Sequence, residues 1–218
     1  MNEIQYINWW IGENRTRESK DLNIGGVTVR VNKDVFTPDP ALTNSSLILL
    51  KSLPDLEGKS VLDLGTGCGI LAVYAALNGA SRVTAVDIDA NAVANASENV
   101  QRLGLGNIVE LVQTNLFDGL TKKYDVIIAN LPILGAVWND LTGPVSKVYE
   151  RVLSEYDRYL EHPNGRVLMG FASFGDLDTI LGMISSAPHL VAKISEQKFG
   201  VAWDVFEFGA WPEGSDPR

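Results

Sequence analysis

VLDLGTGCGIL, residues Val61 to Leu71, is an apolar run that ends in alternating glycines. A strand entering a glycine turn and then a helix brings backbone amides close to a ligand, so the spacing of the glycines indicates which ligand. A dinucleotide fingerprint needs G-x-G-x-x-G, whose third glycine lets the helix pack closely on the strand. The glycines here are Gly65, Gly67 and Gly69, and Ile70 stands where that third glycine would be. The stretch reads instead as Asp63-x-Gly65-Thr66-Gly67-x-Gly69, a carboxylate at a strand end followed by glycines. That arrangement suits a ligand with a positively charged amino acid head rather than a pyrophosphate.

Composition narrows the classes around this motif. The 218 residues suffice for one domain with a buried sheet, and 45% hydrophobic with 21% charged residues is the balance of a folded, soluble chain. We expect an N-terminal extension over 1–34, then one main domain over 35–212 and a tail over 213–218. No segment has the run of roughly 20 apolar residues that a membrane span needs, and no signal peptide is visible, which reads as a cytoplasmic protein. One cysteine, Cys68, and two distant histidines, His162 and His189, supply no metal set, so no metal is expected. A net charge of −9 with dispersed basic residues argues against nucleic acid as a partner.

From about Leu56 the chain alternates strands and helices. Strands are expected at Val61–Leu64, Val83–Val86, Ile108–Val112, Tyr124–Ala129 and Arg166–Phe171. A helix over Ile70–Leu77 is stopped by Gly79. Asp89 can cap the next helix, whose expected buried stripe is Val93, Ala96, Val100 and Leu103. Val145, Val148, Val152, Tyr156 and Tyr159 mark a further amphipathic helix. Leu190–Ser195 and Val201–Phe208 leave no room for a crossover and are expected to form an antiparallel hairpin. The expected fold is α/β: a doubly wound, mostly parallel, seven-stranded sheet with an antiparallel C-terminal strand, with ligands outside the carboxyl ends of its strands.

VLDLGTGCG, TAVDID, NLF (Asn115 to Phe117) and YDVIIANLPI occur in the order and spacing of the class I S-adenosylmethionine-dependent methyltransferases, which the chain resembles from about Phe36 to Phe208. The resemblance implies a Rossmann-like methyltransferase fold and S-adenosyl-L-methionine as cofactor. Asp63, Gly65, Thr66, Gly67 and Gly69 would hold its methionine end. Asp87, 20 residues beyond Gly67, would accept the ribose hydroxyls. By the same analogy Ile88 and Leu116 would flank the adenine and Asn115 would bond its edge.

The acceptor side rests on ANLPI, Ala129 to Ile133. Methyltransferases acting on exocyclic amino or amide nitrogens, including the release-factor glutamine enzymes, carry Asn-Pro-Pro-Tyr there, with the Asn accepting hydrogen bonds from the target NH2 and the ring stacking on it. The chain is similar in Asn130 and Pro132 but has Leu131 and Ile133. Asn130 is therefore the candidate catalytic residue, with Leu131 and Pro132 beside it as substrate contacts. The ribosomal-protein methyltransferases offer a second resemblance, since their motif also begins with Asn and lacks the ring. VFTPDPALTNSSLILL, Val35 to Leu50, resembles the entry region of the glutamine enzymes. The implied function is methyl transfer to a nitrogen of a protein side chain or a small metabolite. Asn139 and Asp140 are further candidate contacts by position. Trp9 and Trp10 read as a substrate lid or as an anchor for the extension. The alternatives are a methyltransferase-like module that binds cofactor or a partner without turnover, and a nicotinamide oxidoreductase, disfavoured by Ile70 and by the lack of a Tyr-x-x-x-Lys pair.

Overall fold

The computed structural model describes residues 3–16, 18–133, 144–174, 177–187 and 189–211. Asn139, Asp140 and the expected tail lie outside these residues. Seven strands form one sheet in the order β5-β4-β3-β6-β7-β9-β8. They are β3 (Ser60–Leu64), β4 (Arg82–Asp87), β5 (Val109–Gln113), β6 (Val126–Ala129), β7 (Arg166–Ala172), β8 (Leu190–Lys198) and β9 (Val201–Gly209). Strands β3 to β7 pair in parallel, and β9 runs against both β7 and β8. The reversed strand is thus β9, flanked by a β8 that points the same way as the parallel set. The chain winds outward through β3, β4 and β5, then returns to place β6 on the other side of β3. Ligands bind at such a reversal, outside the carboxyl ends.

Alternation within each strand divides the core into two layers. Val126 and Ile128 join one cluster, while Ile127 and Ala129 join the other. Helices α2 (Ser45–Ser52) and α3 (Ile70–Leu77) contribute to the first layer, and α5 (Val145–Glu155) and α6 (Leu177–Ser186) to the second. Both faces of β3, β4, β6 and β7 are therefore covered, which is why these strands read as apolar runs.

Helix α4 (Ala90–Arg102) starts at Asp89, whose carboxylate accepts the Asn91 amide at 2.9 Å. Its buried stripe differs from the expected one. Leu103 is 38% exposed beyond the helix end, while Ala92, Asn95, Ala96, Asn99 and Val100 are buried. The asparagines face an N-terminal hairpin, β1 (Lys20–Ile24) and β2 (Val27–Val31), which follows helix α1 (Glu3–Thr16). Asn99 accepts the Arg30 amide at 2.7 Å and donates to the carbonyls of Arg30 (2.7 Å) and Cys68 (2.8 Å). Asn95 accepts the Asn32 amide at 3.0 Å and donates to the Arg30 carbonyl at 2.9 Å. An edge of the hairpin is thus satisfied by side chains rather than by a third strand.

One further difference has a local cause, while the expected C-terminal hairpin is present, with β8 running on to Lys198. The helix expected to run to Tyr159 ends at Glu155 and tightens into a 3-10 turn over Tyr156–Tyr159. Tyr156 donates to the Gly209 carbonyl and accepts from Trp211, and Tyr159 stacks on Phe117 with centroids 4.5 Å apart. The β8–β9 hairpin turns through Phe199 and Gly200, both with positive φ. Such two-residue turns match strand twist, and the Phe199 ring is held by stacking on Tyr6 of α1 at 5.5 Å.

Candidate functional site

One cleft runs along the carboxyl ends of the parallel strands. Gly65, Thr66 and Gly67 after β3, Asp87 and Ile88 at the end of β4, and Asn115 and Leu116 beyond β5 line one part of it. Asn130, Leu131, Pro132 and Ile133 after β6 line the next part, so residues from Gly65 to Ile133 meet in one space.

The glycine turn is built by positive φ at Gly65 (71°), Gly67 (56°) and Gly69 (84°). Each serves a different need. A Cβ at Gly69 would lie 3.0 Å from the Ala96 Cβ of α4, and one at Gly65 would lie 3.1 Å from a Leu131 methyl. A Cβ at Gly67 would meet no protein atom within 4 Å. Because Gly67 lines the cleft, a side chain there would occupy ligand space.

Two carboxylates hold this turn in different ways. Asp87 accepts the Gly67 amide at 2.9 Å through one oxygen and the Asp89 amide at 3.0 Å through the other. Burial raises its carboxyl above the ordinary range, against the opposing pull of those amides. Each oxygen keeps a further lone pair for a ligand hydroxyl. Asp63 is fully buried and is not among the residues lining the cleft. Its Oδ2 accepts from the Thr66 hydroxyl at 2.7 Å and the Ala72 amide at 3.1 Å, while Oδ1 is buried without a hydrogen-bond partner. Burial is the main cause that pushes its carboxyl up to about 7, with the Asp87 charge adding to it. Asp63 thus braces the turn from behind. Gly69, at the start of α3, is likewise a packing position and not a lining one.

Beyond β5, Leu116 adopts φ 52°, a left-handed conformation that costs a side-chain-bearing residue on the order of 1–2 kcal/mol. The turn is anchored by Arg151, which donates to the Asn115 carbonyl at 3.2 Å and pairs with Asp118 and Glu155. Sequence spacing gave no sign of this clamp, since its residues come from two separate elements.

Asn130 follows β6 and lies beside β7, where Gly170 lines the same cleft. Its Nδ2 donates to the hydroxyls of Ser46 at 3.0 Å and Ser45 at 3.3 Å, at the start of α2. Its Oδ1 faces Gly170, at 3.3 Å from where a Cβ on that glycine would stand. The serines therefore fix the amide plane, with its oxygen on the side of Gly170. Cys68 is buried in the glycine turn, and His162 pairs with Asp157 at 3.1 Å, outside the cleft.

This geometry agrees with the comparisons. Residues 39–152, more than half of the chain, match the family described as ribosomal protein L11 methyltransferase (PrmA). The chain belongs to that family. The matched segment carries the glycine turn, Asp87, Asn115, Leu116 and Asn130, and so holds most of the cleft. A Methanocaldococcus jannaschii relative, provisionally named a protein N5-glutamine methyltransferase, is 34% identical over 114 residues, 52% of this chain and 54% of its own. The chain thus spans about half the length of that relative, and less than half of the curated L11 methyltransferases from Desulforamulus reducens and Staphylococcus aureus. Among solved structures, a methyltransferase from Pyrococcus furiosus shares the fold with a TM-score of 0.67 at 18% identity, over 95% of this chain and 98% of the other. A T. thermophilus 16S rRNA N2 G1207 methyltransferase, in complex with AdoMet and guanosine, shares it at 0.65 and 20% identity, over 89% and 50%. Among the described residues no helix is long and apolar enough to cross a membrane.

Proposed function

We propose that this chain is an S-adenosyl-L-methionine-dependent methyltransferase that transfers a methyl group to a nitrogen of a protein side chain or a small metabolite. The observation that carries the proposal is the Gly67–Asp87 pair, an open glycine held by the carboxylate at the end of the next strand, in one cleft with Asn130. The residues suit the cofactor. Gly65, Thr66 and Gly67 offer backbone without side-chain obstruction, Asp87 offers carboxylate oxygens to ribose hydroxyls, and Ile88 and Leu116 offer apolar surface to an adenine. Asn115 lines the same end and can bond the adenine edge, while Asp63 supports the turn that would carry the methionine end.

The cofactor supplies the sulfonium methyl and its leaving group, so the protein's part is alignment and exclusion of water. Asn130 Oδ1 accepts an N–H of the acceptor and turns the nitrogen lone pair toward the methyl, and Leu131 and Pro132 shape the wall beside it. With the cofactor bound, an N–C bond would form as the S–C bond broke with its electrons left on sulfur, and the nitrogen would release its proton to solvent. Ser45 and Ser46 prevent the Asn130 amide from rotating, which keeps the acceptor oxygen in place during transfer.

Calorimetric titration with S-adenosylhomocysteine, beside NADH as a control, tests the binding half. Transfer of labelled methyl from the cofactor into a protein and metabolite extract tests turnover. Tight homocysteine-product binding without labelling of any acceptor would leave a binding module, and NADH binding alone would overturn the assignment.

A further inference from the structure

The glycine turn is held from two sides. Asp87, which lines the cleft, accepts the Gly67 amide at 2.9 Å. Behind the turn, Asn99 of α4 is 1% exposed and donates its Nδ2 to the Cys68 carbonyl at 2.8 Å. The nitrogen of that same peptide is fixed too, because the Gly69 amide donates to the Thr66 carbonyl at 2.8 Å. The Cys68–Gly69 peptide plane is therefore pinned at both its oxygen and its nitrogen. The pin matters because Gly67 and Gly69, on either side of Cys68, both have positive φ, and glycine moves between left- and right-handed conformations at little cost. With the carbonyl released, the turn populates other arrangements, and a ligand that fits one of them binds more weakly by the fraction lost.

The Asn99 amide is itself set by the N-terminal hairpin. Its Oδ1 accepts the Arg30 amide at 2.7 Å, and its Nδ2 also donates to the Arg30 carbonyl at 2.7 Å, so β2 decides which end of the amide faces the turn. Turned over, the amide would set its oxygen against the carbonyls of Cys68 and Arg30 and leave the Arg30 N–H without an acceptor. Asn95, one helical turn earlier, provides the contrast. It accepts the Asn32 amide and donates to the Arg30 carbonyl, so it serves the hairpin and not the turn. The hairpin residues 20–31 are not among those lining the cleft.

We propose that Asn99 is a positioning residue for the amino acid end of the cofactor: the hairpin orients its amide, and the amide holds the Cys68–Gly69 peptide so that the turn meets its ligand ready-formed. The proposal rests on the methyltransferase reading for the identity of that ligand. It gives the N-terminal hairpin a part in cofactor binding without contact to the cofactor, since preorganising a loop lowers the ordering cost of binding.

Calorimetry with two ligands tests it: S-adenosylhomocysteine, and 5′-methylthioadenosine, which keeps the adenosine but lacks the amino acid end. Asn99→Ala is expected to weaken S-adenosylhomocysteine at least tenfold, the effect of a competent turn reduced to about a tenth of the population, and to leave methylthioadenosine within threefold. Asn95→Ala, which loosens the hairpin alone, is expected to leave both ligands within threefold. A loss of S-adenosylhomocysteine below tenfold in folded Asn99→Ala, an equal loss of methylthioadenosine, or an equal loss in Asn95→Ala would make Asn99 a support of the fold only and overturn the proposal. A second measurement needs only the parent chain: the nuclear magnetic resonance coupling across the hydrogen bond from Asn99 Nδ2 to the Cys68 carbonyl carbon. It is expected at the same strength with and without S-adenosylhomocysteine. Coupling that appears only with the ligand would overturn the proposal, and this result decides if a variant fails to fold. A parent chain that does not bind S-adenosylhomocysteine counts against the cofactor assignment instead, and the coupling in the ligand-free chain, with Gly69 amide exchange faster in Asn99→Ala, still tests the hold on the turn.

Discussion

Gly67 donates its amide to Asp87 at 2.9 Å across 20 positions of sequence, so the tip of one strand holds the turn that follows its neighbour. The same carboxylate accepts the Asp89 amide and borders the cleft, which gives it both a structural and a ligand-facing part. Asp87→Ala is expected to fold and to lose about 1.5–3 kcal/mol of affinity for S-adenosylhomocysteine, roughly tenfold to 150-fold in Kd by calorimetry. Asp87→Asn, which keeps an acceptor for Gly67, should lose less. Unchanged affinity in a folded Asp87→Ala protein would end its assignment to the ribose.

Gly67→Val separates ligand space from folding. No protein atom lies within 4 Å of the added Cβ, and the cost to the fold is that of a left-handed φ, about 1–2 kcal/mol. The expected outcome is a modest fall in thermal midpoint with cofactor-product binding lost. Gly69→Ala should do the opposite: its Cβ meets Ala96 at 3.0 Å, so stability falls first.

Asp63 should leave a signature in stability against pH. Its folded value of about 7 lies above the ordinary 3.8, so the native state binds more protons than the unfolded chain between pH 4 and 7. The stabilisation is complete below about 4 and is lost as pH rises through 7. Asp63→Asn removes this titration. Over that window the parent should lose stability relative to the variant, with a slope no steeper than about 1.36 kcal/mol per pH unit. Urea unfolding of both proteins at several pH values measures it. Parallel curves would show that Asp63 is charged in the fold throughout.

How much of this was legible beforehand varied with the kind of signal. Strands β3, β4, β6 and β7 are buried on both faces, so their apolar runs marked them to within two residues, and Asp89 announced its helix by capping it. The N-terminal helix and hairpin gave no comparable pattern. Their order depends on Asn95, Asn99 and the Tyr6 ring contacts, partners that sequence spacing does not reveal. The depth of Asp63 was hidden for the same reason. A strand-end carboxylate can face ligand or core, and here the Thr66 hydroxyl and the Ala72 amide hold it in the core.

Asn99 offers a direct measure of that tertiary support. It is buried, and its amide serves both Arg30 and Cys68, joining the hairpin to the glycine turn. Asn99→Ala leaves these backbone groups unmatched and is expected to cost about 2–4 kcal/mol by urea unfolding. A loss below about 0.5 kcal/mol would show that water replaces the side chain without penalty.

Catalysis and binding should part at Asn130. Its Nδ2 is held by Ser45 and Ser46, and its Oδ1 faces Gly170 on the neighbouring strand. Asn130→Ala is expected to leave cofactor-product affinity near the parent value and to slow methyl transfer by about 2–4 kcal/mol of barrier, roughly thirtyfold to a thousandfold. Gly170→Ala approaches the same atom from the other side. Its Cβ would lie 2.8 Å from a Leu49 methyl and 3.3 Å from Asn130 Oδ1, so it displaces the amide rather than removing it. A smaller loss follows, on the order of tenfold in rate, again with binding intact. Single-turnover transfer beside calorimetry makes both measurements. If Asn130→Ala transfers at the parent rate, the nitrogen is oriented by another group. If Gly170→Ala alone is slow, the closeness of β7 matters through Leu49 and α2 rather than through the amide.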